Sequence, residues 1–203
     1  GRKPKRDPVT KMLFNDFMRW RSSLAKSIDK YDRGRKISKE DKDEAIQMFL
    51  NRLIFIRTCE DRKLEGERLR STVREWEKEK KKRLMSYIRD IFEEYNIDYN
   101  SGIFAPHMAS GLTLDDEVLA EIINELYESP DGVSYNFNEI KAEVLGSIYE
   151  LYLATILRTG GGVLEREAKR KEMGIYYTPS YIVEYIVKNT LGEALAKAKT
   201  GES

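Results

Sequence analysis

One cysteine, one histidine and five prolines occur in 203 residues, and each scarcity removes a class of protein. A single thiol, Cys59, admits no internal disulfide and points to a reducing compartment, so a cytoplasmic location is expected. Set in Leu53-Ile-Phe-Ile-Arg-Thr-Cys59, it reads as a buried thiol rather than a nucleophile. His107 stands in the loop Ala105-Pro-His-Met108 without Cys or acidic ligands nearby in sequence. No metal site is expected there, and a structural or solvent-exposed ring is the simpler reading. No apolar run approaches the roughly 18 residues that suggest a membrane span, and no apolar core follows the basic first residues to make a signal peptide. Neither Gly-x-Gly-x-x-Gly nor Gly-Lys-Ser/Thr occurs, so Thr159-Gly-Gly-Gly162 reads as a linker and not a phosphate cradle. An excess of one charge is missing too. Lys+Arg total 36 against 35 Asp+Glu, a formal net charge of +1, so no global field draws the chain to nucleic acid or membrane. Any DNA contact must be local.

What is present is helical periodicity in a chain 35% charged and 40% hydrophobic. Leu13, Phe17, Trp20, Leu24 and Ile28 recur at steps of three or four, predicting a core-facing helix over about residues 10–29. The Tyr31-Asp-Arg-Gly-Arg-Lys36 loop that follows could meet a phosphate backbone, although a solvated connector is the simpler reading. Ser38-Lys-Glu-Asp41 is a variant capping box opening a helix through Ala45, Ile46, Phe49, Leu50, Leu53 and Ile54. That helix is apolar on nearly all sides and belongs at the centre of a bundle. Asn51, Arg52, Arg57, Glu60, Asp61 and Arg62 are expected to pair with each other or to cap helix ends.

From Leu69 to Tyr95 the period continues through the charged run 77–83, as one long helix or two with a break. Glu79 and Lys81 have the acid-x-Lys spacing of metal-dependent nucleases, but no partner aspartate on a recognisable strand precedes them, so a nuclease site is rejected. Tyr99-Asn-Ser-Gly-Ile-Phe104 predicts a reversal docking Tyr99 and Phe104. Thr113-Leu-Asp-Asp116 predicts another helix start and Ser129-Pro-Asp-Gly132 a turn. Further helical pattern runs from Ile140 to Ile156. The expected class is mainly α: a multi-helix bundle (residues 1–158), a Gly-rich linker (159–170) and a terminal helix within 171–203.

That last segment carries the most specific signal. In Gly174-Ile-Tyr-Tyr-Thr-Pro179, Thr178 can cap a helix whose first position suits Pro179, and Ile182, Val183, Ile186, Val187 and Leu191 give it one apolar face. Two phenol rings, Tyr176 and Tyr177, thus stand at a helix N-terminus, which suits a ligand with both an anion and a cation. Arg170-Lys171, the Gly174 to Pro179 run, Ile182-Val183, Ile186-Val187 and Thr190-Leu191-Gly192 resemble the motif preceding the cofactor-binding core of N6-adenine DNA methyltransferases. The likeness is greatest to the methylase region of type IIG restriction-modification enzymes. Leu50-Asn-Arg-Leu-Ile-Phe-Ile-Arg57 with Glu60-Asp-Arg62, Tyr99-Asn-Ser-Gly-Ile-Phe104 and Glu143-Val-Leu-Gly-Ser-Ile-Tyr-Glu150 are similar to that family as well.

The resemblance implies S-adenosylmethionine as cofactor, with Tyr176, Tyr177, Thr178 and Pro179 at its methionine end, and DNA as the parent enzyme's partner. It implies no catalytic residue here. The adenine-holding Asn/Asp-Pro-Pro-aromatic turn is absent, because none of Pro4, Pro8, Pro106, Pro130 and Pro179 is followed by another proline. No strand–helix alternation builds a parallel sheet. The chain is therefore expected to be an inactive fragment ending where the methyltransferase core begins, its parent with or without a fused endonuclease. Self-association through the terminal helix is a further expectation. The alternative is a non-enzymatic helical scaffold that docks a partner through that helix.

Overall fold

The computed structural model describes residues 8–32, 34, 37–99, 102–140, 144–146 and 148. The chain divides into two compact units, residues 1–140 and 141–203. Within the second, 144–146 and 148 are helical. The linker expected at 159–170 and the terminal helix expected within 171–203 lie outside the described residues.

Unit 1 is mainly helical, as its periodicity requires. Five α-helices follow in order: α1 (Pro8–Tyr31), α2 (Lys39–Asp61), α3 (Leu69–Glu79), α4 (Leu84–Tyr99) and α5 (Asp116–Glu125), with a 3-10 turn at Met108–Gly111. No strand occurs among the described residues; one isolated antiparallel bridge joins Glu128 and Ser134. All five stripe residues of α1, Leu13 through Ile28, are buried. Helix α2 packs against α1, α3 and the 3-10 turn, while α5 contacts α1, α3 and α4.

The helix starts show how local sequence and packing divide the work. Ser38 caps α2 as expected: its Oγ accepts from the Asp41 amide at 3.0 Å and donates to Asp41 Oδ2 at 2.7 Å. Helix α5 begins later than Thr113 suggests. Asp115 is its cap, accepting from the Glu117 and Val118 amides, while Leu114 is drawn into the core and the Ser27 hydroxyl takes the Asp115 amide at 2.7 Å. Two other helices are capped by neighbours. The α3 cap residue, Arg68, makes no side-chain cap bond, and Glu60 of α2 accepts from the Arg68 and Leu69 amides at 2.8 and 3.0 Å. Asp116 of α5 accepts from the Leu84 amide at 2.9 Å at the start of α4. A carboxylate satisfies orphan donors and favours the positive helix end, so these two contacts tie secondary structure to tertiary packing.

The run 77–83 is a break. Helix α3 stops at Glu79, and Lys80 takes a left-handed conformation at φ 45°, its amide donating to the Trp76 carbonyl at 2.7 Å. Lys80–Arg83 is then an exposed turn, stitched by the Trp76 indole donating to the Lys82 carbonyl at 3.1 Å. Phe104 is buried as expected, and Tyr99 stacks on Tyr95 with ring centroids 5.2 Å apart.

Candidate functional site

The residues expected to touch a cofactor, Tyr176, Tyr177, Thr178 and Pro179, lie outside the described residues. So do Arg33, Arg35 and Lys36 of the basic loop after α1. The chemistry that can be described is a buried polar network at one end of α2 and the cleft beside it.

Helical spacing sets the network's first layer. Arg57, Glu60 and Asp61 stand at i, i+3 and i+4 on the last turns of α2, so they share one face. Arg57 Nη1 lies 2.7 Å from Glu60 Oε2, and Nη2 lies 2.8 Å from both Asp61 oxygens. Arg57 and Glu60 are both buried. The pairing expected from sequence is thus present, and it carries much more. Tyr127, just past α5, donates its hydroxyl to Glu60 Oε2 at 2.7 Å and accepts from the Arg70 amide at 3.1 Å. The Arg57 and Arg70 guanidinium carbons lie 3.7 and 4.1 Å from the Tyr127 ring centroid, within cation–π range. Asp61 Oδ2 accepts from the Phe137 amide at 2.7 Å, fixing the segment beyond the Gly132 turn. One carboxylate, Glu60, therefore serves a guanidinium, a phenol and two helix-end amides.

Two further anchors depart from the sequence reading: Arg52 does not pair with its α2 neighbours or cap a helix end but reaches a distant loop, and nothing in the sequence singles out Glu125. Arg52 is fully buried: Nε donates to the Ile103 carbonyl at 2.7 Å, Nη2 to the Ala105 carbonyl at 2.7 Å and Nη1 to Ser110 Oγ at 2.5 Å. Burial holds its pKa below the ordinary guanidinium value. Glu125 on α5 receives the Trp20 indole at 2.5 Å and the Arg19 guanidinium at 2.8 Å, tying α5 to α1. Charge marks none of these as interior; only the apolar residues on either side of Arg52 in α2 hint at it.

His107 is a local brace. Its Nδ1 accepts from the Ala109 amide at 3.1 Å, capping the 3-10 turn, and Nε2 lies 3.3 Å from Glu44. Cys59 is buried, and burial raises its pKa. Glu79 pairs with Lys81 at 3.2 Å on the surface. Among the described residues no group of three or more His, Cys, Asp or Glu side chains could hold a metal ion, and no helix is long and apolar enough to cross a membrane.

Burial also raises the pKa of four phenols, Tyr95, Tyr99, Tyr127 and Tyr135, above the ordinary value of 10.0, with hydrogen bonds to Glu60 and Asp16 adding at Tyr127 and Tyr135. A raised folded-state pKa favours the neutral form in the native protein. The associated stability is complete below the unfolded value near 10.0 and is lost as pH rises through the folded values. In a phenolate absorbance titration these four tyrosines should stay silent until the helical circular-dichroism signal collapses, then ionise with it. Early ionisation of all twelve tyrosines with the helices intact would contradict the packing.

Beside the network is an open cleft of about 610 Å³, its wall formed by the α2–α3 turn, the start of α3 and the segment after α5. Arg57 and Asp61 form its floor, already paired; Arg62, Lys63 and Arg70 add cations, and Asn136 and Asn138 add amides. A second cleft of about 640 Å³ lies between Tyr31, Trp76 and the Lys80–Arg83 turn, facing Asp115, Asp116 and Glu117.

Fold and site together define a helical body with buried ion pairs and open, charged clefts, without an assembled catalytic centre among the described residues. The chain is 26% identical over 162 residues to the Escherichia coli type II restriction enzyme and methyltransferase RM.Eco57I, covering 78% of this chain. It is 28% identical over 188 residues to the putative type II restriction enzyme and methyltransferase RM.MjaORFECS2P of Methanocaldococcus jannaschii, covering 76% of this chain. The chain spans about 15% of the length of these curated relatives. No protein-family model matches the chain, and no solved structure does.

Proposed function

We propose that this chain is a segment of a restriction-modification protein that methylates adenine N6 in DNA from S-adenosylmethionine. The helical body links domains, and Tyr176, Tyr177, Thr178 and Pro179 contribute one edge of the cofactor site. The observation that carries this reading is the similarity over about three quarters of the chain to two restriction enzyme and methyltransferases of much greater length. The Tyr-Tyr-Thr-Pro stretch, whose sequence pattern predicts a capped helix start, supports the cofactor assignment by its chemistry. Free backbone amides suit the methionine carboxylate, and phenol faces suit the sulfonium. The segment alone is inactive under this reading, since it lacks the adenine-holding turn.

The test is S-adenosylmethionine titration by calorimetry into the longer protein that contains this chain. Saturable binding is expected, weakened about tenfold by Tyr177→Ala, the loss that one desolvated cation–π contact of ~1–2 kcal/mol carries. Thr178→Ala should also weaken it by removing the cap. Unchanged affinity in both variants overturns the assignment of these residues, and no binding at all favours the non-enzymatic scaffold.

A further inference from the structure

We propose that the cleft between the α2–α3 turn and the segment after α5 holds the phosphodiester backbone of a nucleic acid, with Arg62 and Lys63 as the contacting cations. The identity of the polyanion rests on the DNA-acting reading above; the site itself comes from the charge distribution.

The net charge of +1 leaves no global attraction, so a phosphate contact needs a place where cations are not already matched. The two clefts differ in this respect. Around the Lys80–Arg83 turn, Lys80 pairs with Glu117 at 3.0 Å, Lys81 with Glu79 at 3.2 Å and Arg83 with Asp116 at 2.9 Å, and Lys82 is the one lining cation there without an ion pair among the described residues. An entering phosphate would have to displace or face those carboxylates. In the other cleft the carboxylate of Asp61 is consumed internally, by Arg57 and by the Phe137 amide. Arg62 and Lys63 are exposed and have no ion-pair partner among the described residues. Arg70 lies over Tyr127 and has only a 3.5 Å bond to the Asn124 carbonyl for its Nη2. Glu128 is the lining's other carboxylate besides Asp61. With the network beneath included, Arg57, Arg62, Lys63 and Arg70 stand against Glu60, Asp61 and Glu128, four cations against three acids, and the positive excess sits on the exposed Arg62 and Lys63.

The geometry suits a backbone better than a small enclosed ligand. The cleft is open, its cations stand on a turn, and Lys63 is held in a left-handed conformation at φ 61° with its amide bonded to the Glu60 carbonyl at 3.0 Å. That turn is braced from beneath by the buried Arg57–Glu60 pair, so its cations are presented on a fixed platform. Asn136 and Asn138 add neutral amides, and such donors, with Arg and Lys, position a protein on phosphates without reading bases.

The experiment measures anisotropy of a labelled DNA duplex titrated with the 203-residue chain at several salt concentrations. Duplex binding is expected, falling steeply with salt. The pair Arg62→Glu with Lys63→Glu should weaken it about tenfold or more. It should also make the slope of log affinity against log salt shallower by about two, since each neutralised phosphate contributes ~0.9. Both side chains are solvent-exposed, so the fold should survive, and circular dichroism checks it. The control is Lys81→Glu with Lys82→Glu, which changes net charge by the same amount on the other cleft and should leave most of the affinity intact. Equal losses in the two double variants overturn the proposal, because attraction is then diffuse. So does a loss under twofold when Arg62 and Lys63 are both reversed in charge. Displacement of the duplex by micromolar ATP at fixed ionic strength also overturns it, since the cleft would then be a nucleotide site. None of these readouts involves S-adenosylmethionine, so failure here leaves the cofactor assignment standing, and the converse holds.

Discussion

Glu60→Gln should lower the unfolding free energy of the chain by about 3 kcal/mol, near the low end of the ~3–5 kcal/mol typical when one partner of a buried ion pair is removed. The low end applies because Asp61 still holds Arg57 Nη2 at 2.8 Å. The side-chain amide introduced by this change can present its oxygen to the α3 amides or to Arg57 and Tyr127, but not to both sets. Glu60→Ala removes all of them and should cost more. It leaves the Arg68 and Leu69 amides without their 2.8 and 3.0 Å acceptor at a buried helix start. Urea denaturation measures both. Coupling is the sharper test. Tyr127→Phe alone should cost about 1–3 kcal/mol for the bonds to Glu60 and from the Arg70 amide, and less in the Glu60→Gln background, because the bond to Glu60 is common to both changes while the one from Arg70 is not. An exposed pair on the same bundle, Arg68 with Glu94, supplies the contrast. Glu94→Gln should fall within about 0.5 kcal/mol of the parent. Comparable costs at Glu60 and Glu94 would mean that the network carries no special weight.

How much of this can be read from the chain depends on which physical signal a residue leaves. The α1 stripe is legible because burial of one helix face imposes a period that Leu13, Phe17, Trp20, Leu24 and Ile28 obey, and all five are buried. The spacing of Arg57, Glu60 and Asp61 foretells their pairing, since the helix alone brings them together. It cannot foretell Tyr127, Arg70 or Phe137, which arrive through packing from segments up to 76 residues away. The break after Glu79 has neither glycine nor proline to announce it; a lysine takes the left-handed cap, and only the Trp76 and Asp116 contacts explain the position. Thr113 looks like the start of α5 because it precedes acidic residues, yet burial of Leu114 shifts the cap to Asp115. The cleft is illegible in principle, since its unmatched cations are identified only once the matched ones are known. The Tyr-Tyr-Thr-Pro segment is the reverse case: clear in sequence, and outside the described residues.

Arg52→Met is the second change with a large expected effect, about 3 kcal/mol, and its physics runs opposite to that of Glu60. Here no carboxylate neutralises the cation among its hydrogen-bond partners, which are the Ile103 and Ala105 carbonyls and the Ser110 hydroxyl. The Phe92 and Phe104 rings lie 5.1 and 5.9 Å from its guanidinium carbon. Methionine fits the space and relieves the buried charge, but it deserts three acceptors, each costing about 1–3 kcal/mol if it stays dry. The expected loss sits low in that sum because part of 103–110 can turn its carbonyls to water. That relaxation predicts a local readout: amide hydrogen exchange should speed up across the loop before α5 while α1 stays protected. Arg52→Lys separates charge from shape. One ammonium keeps the cation but cannot span three acceptors arrayed around a planar fork, so Lys should recover less than half of the lost stability. If lysine restores the parent value, the buried charge alone matters, and the loop is not pinned by the guanidinium's geometry.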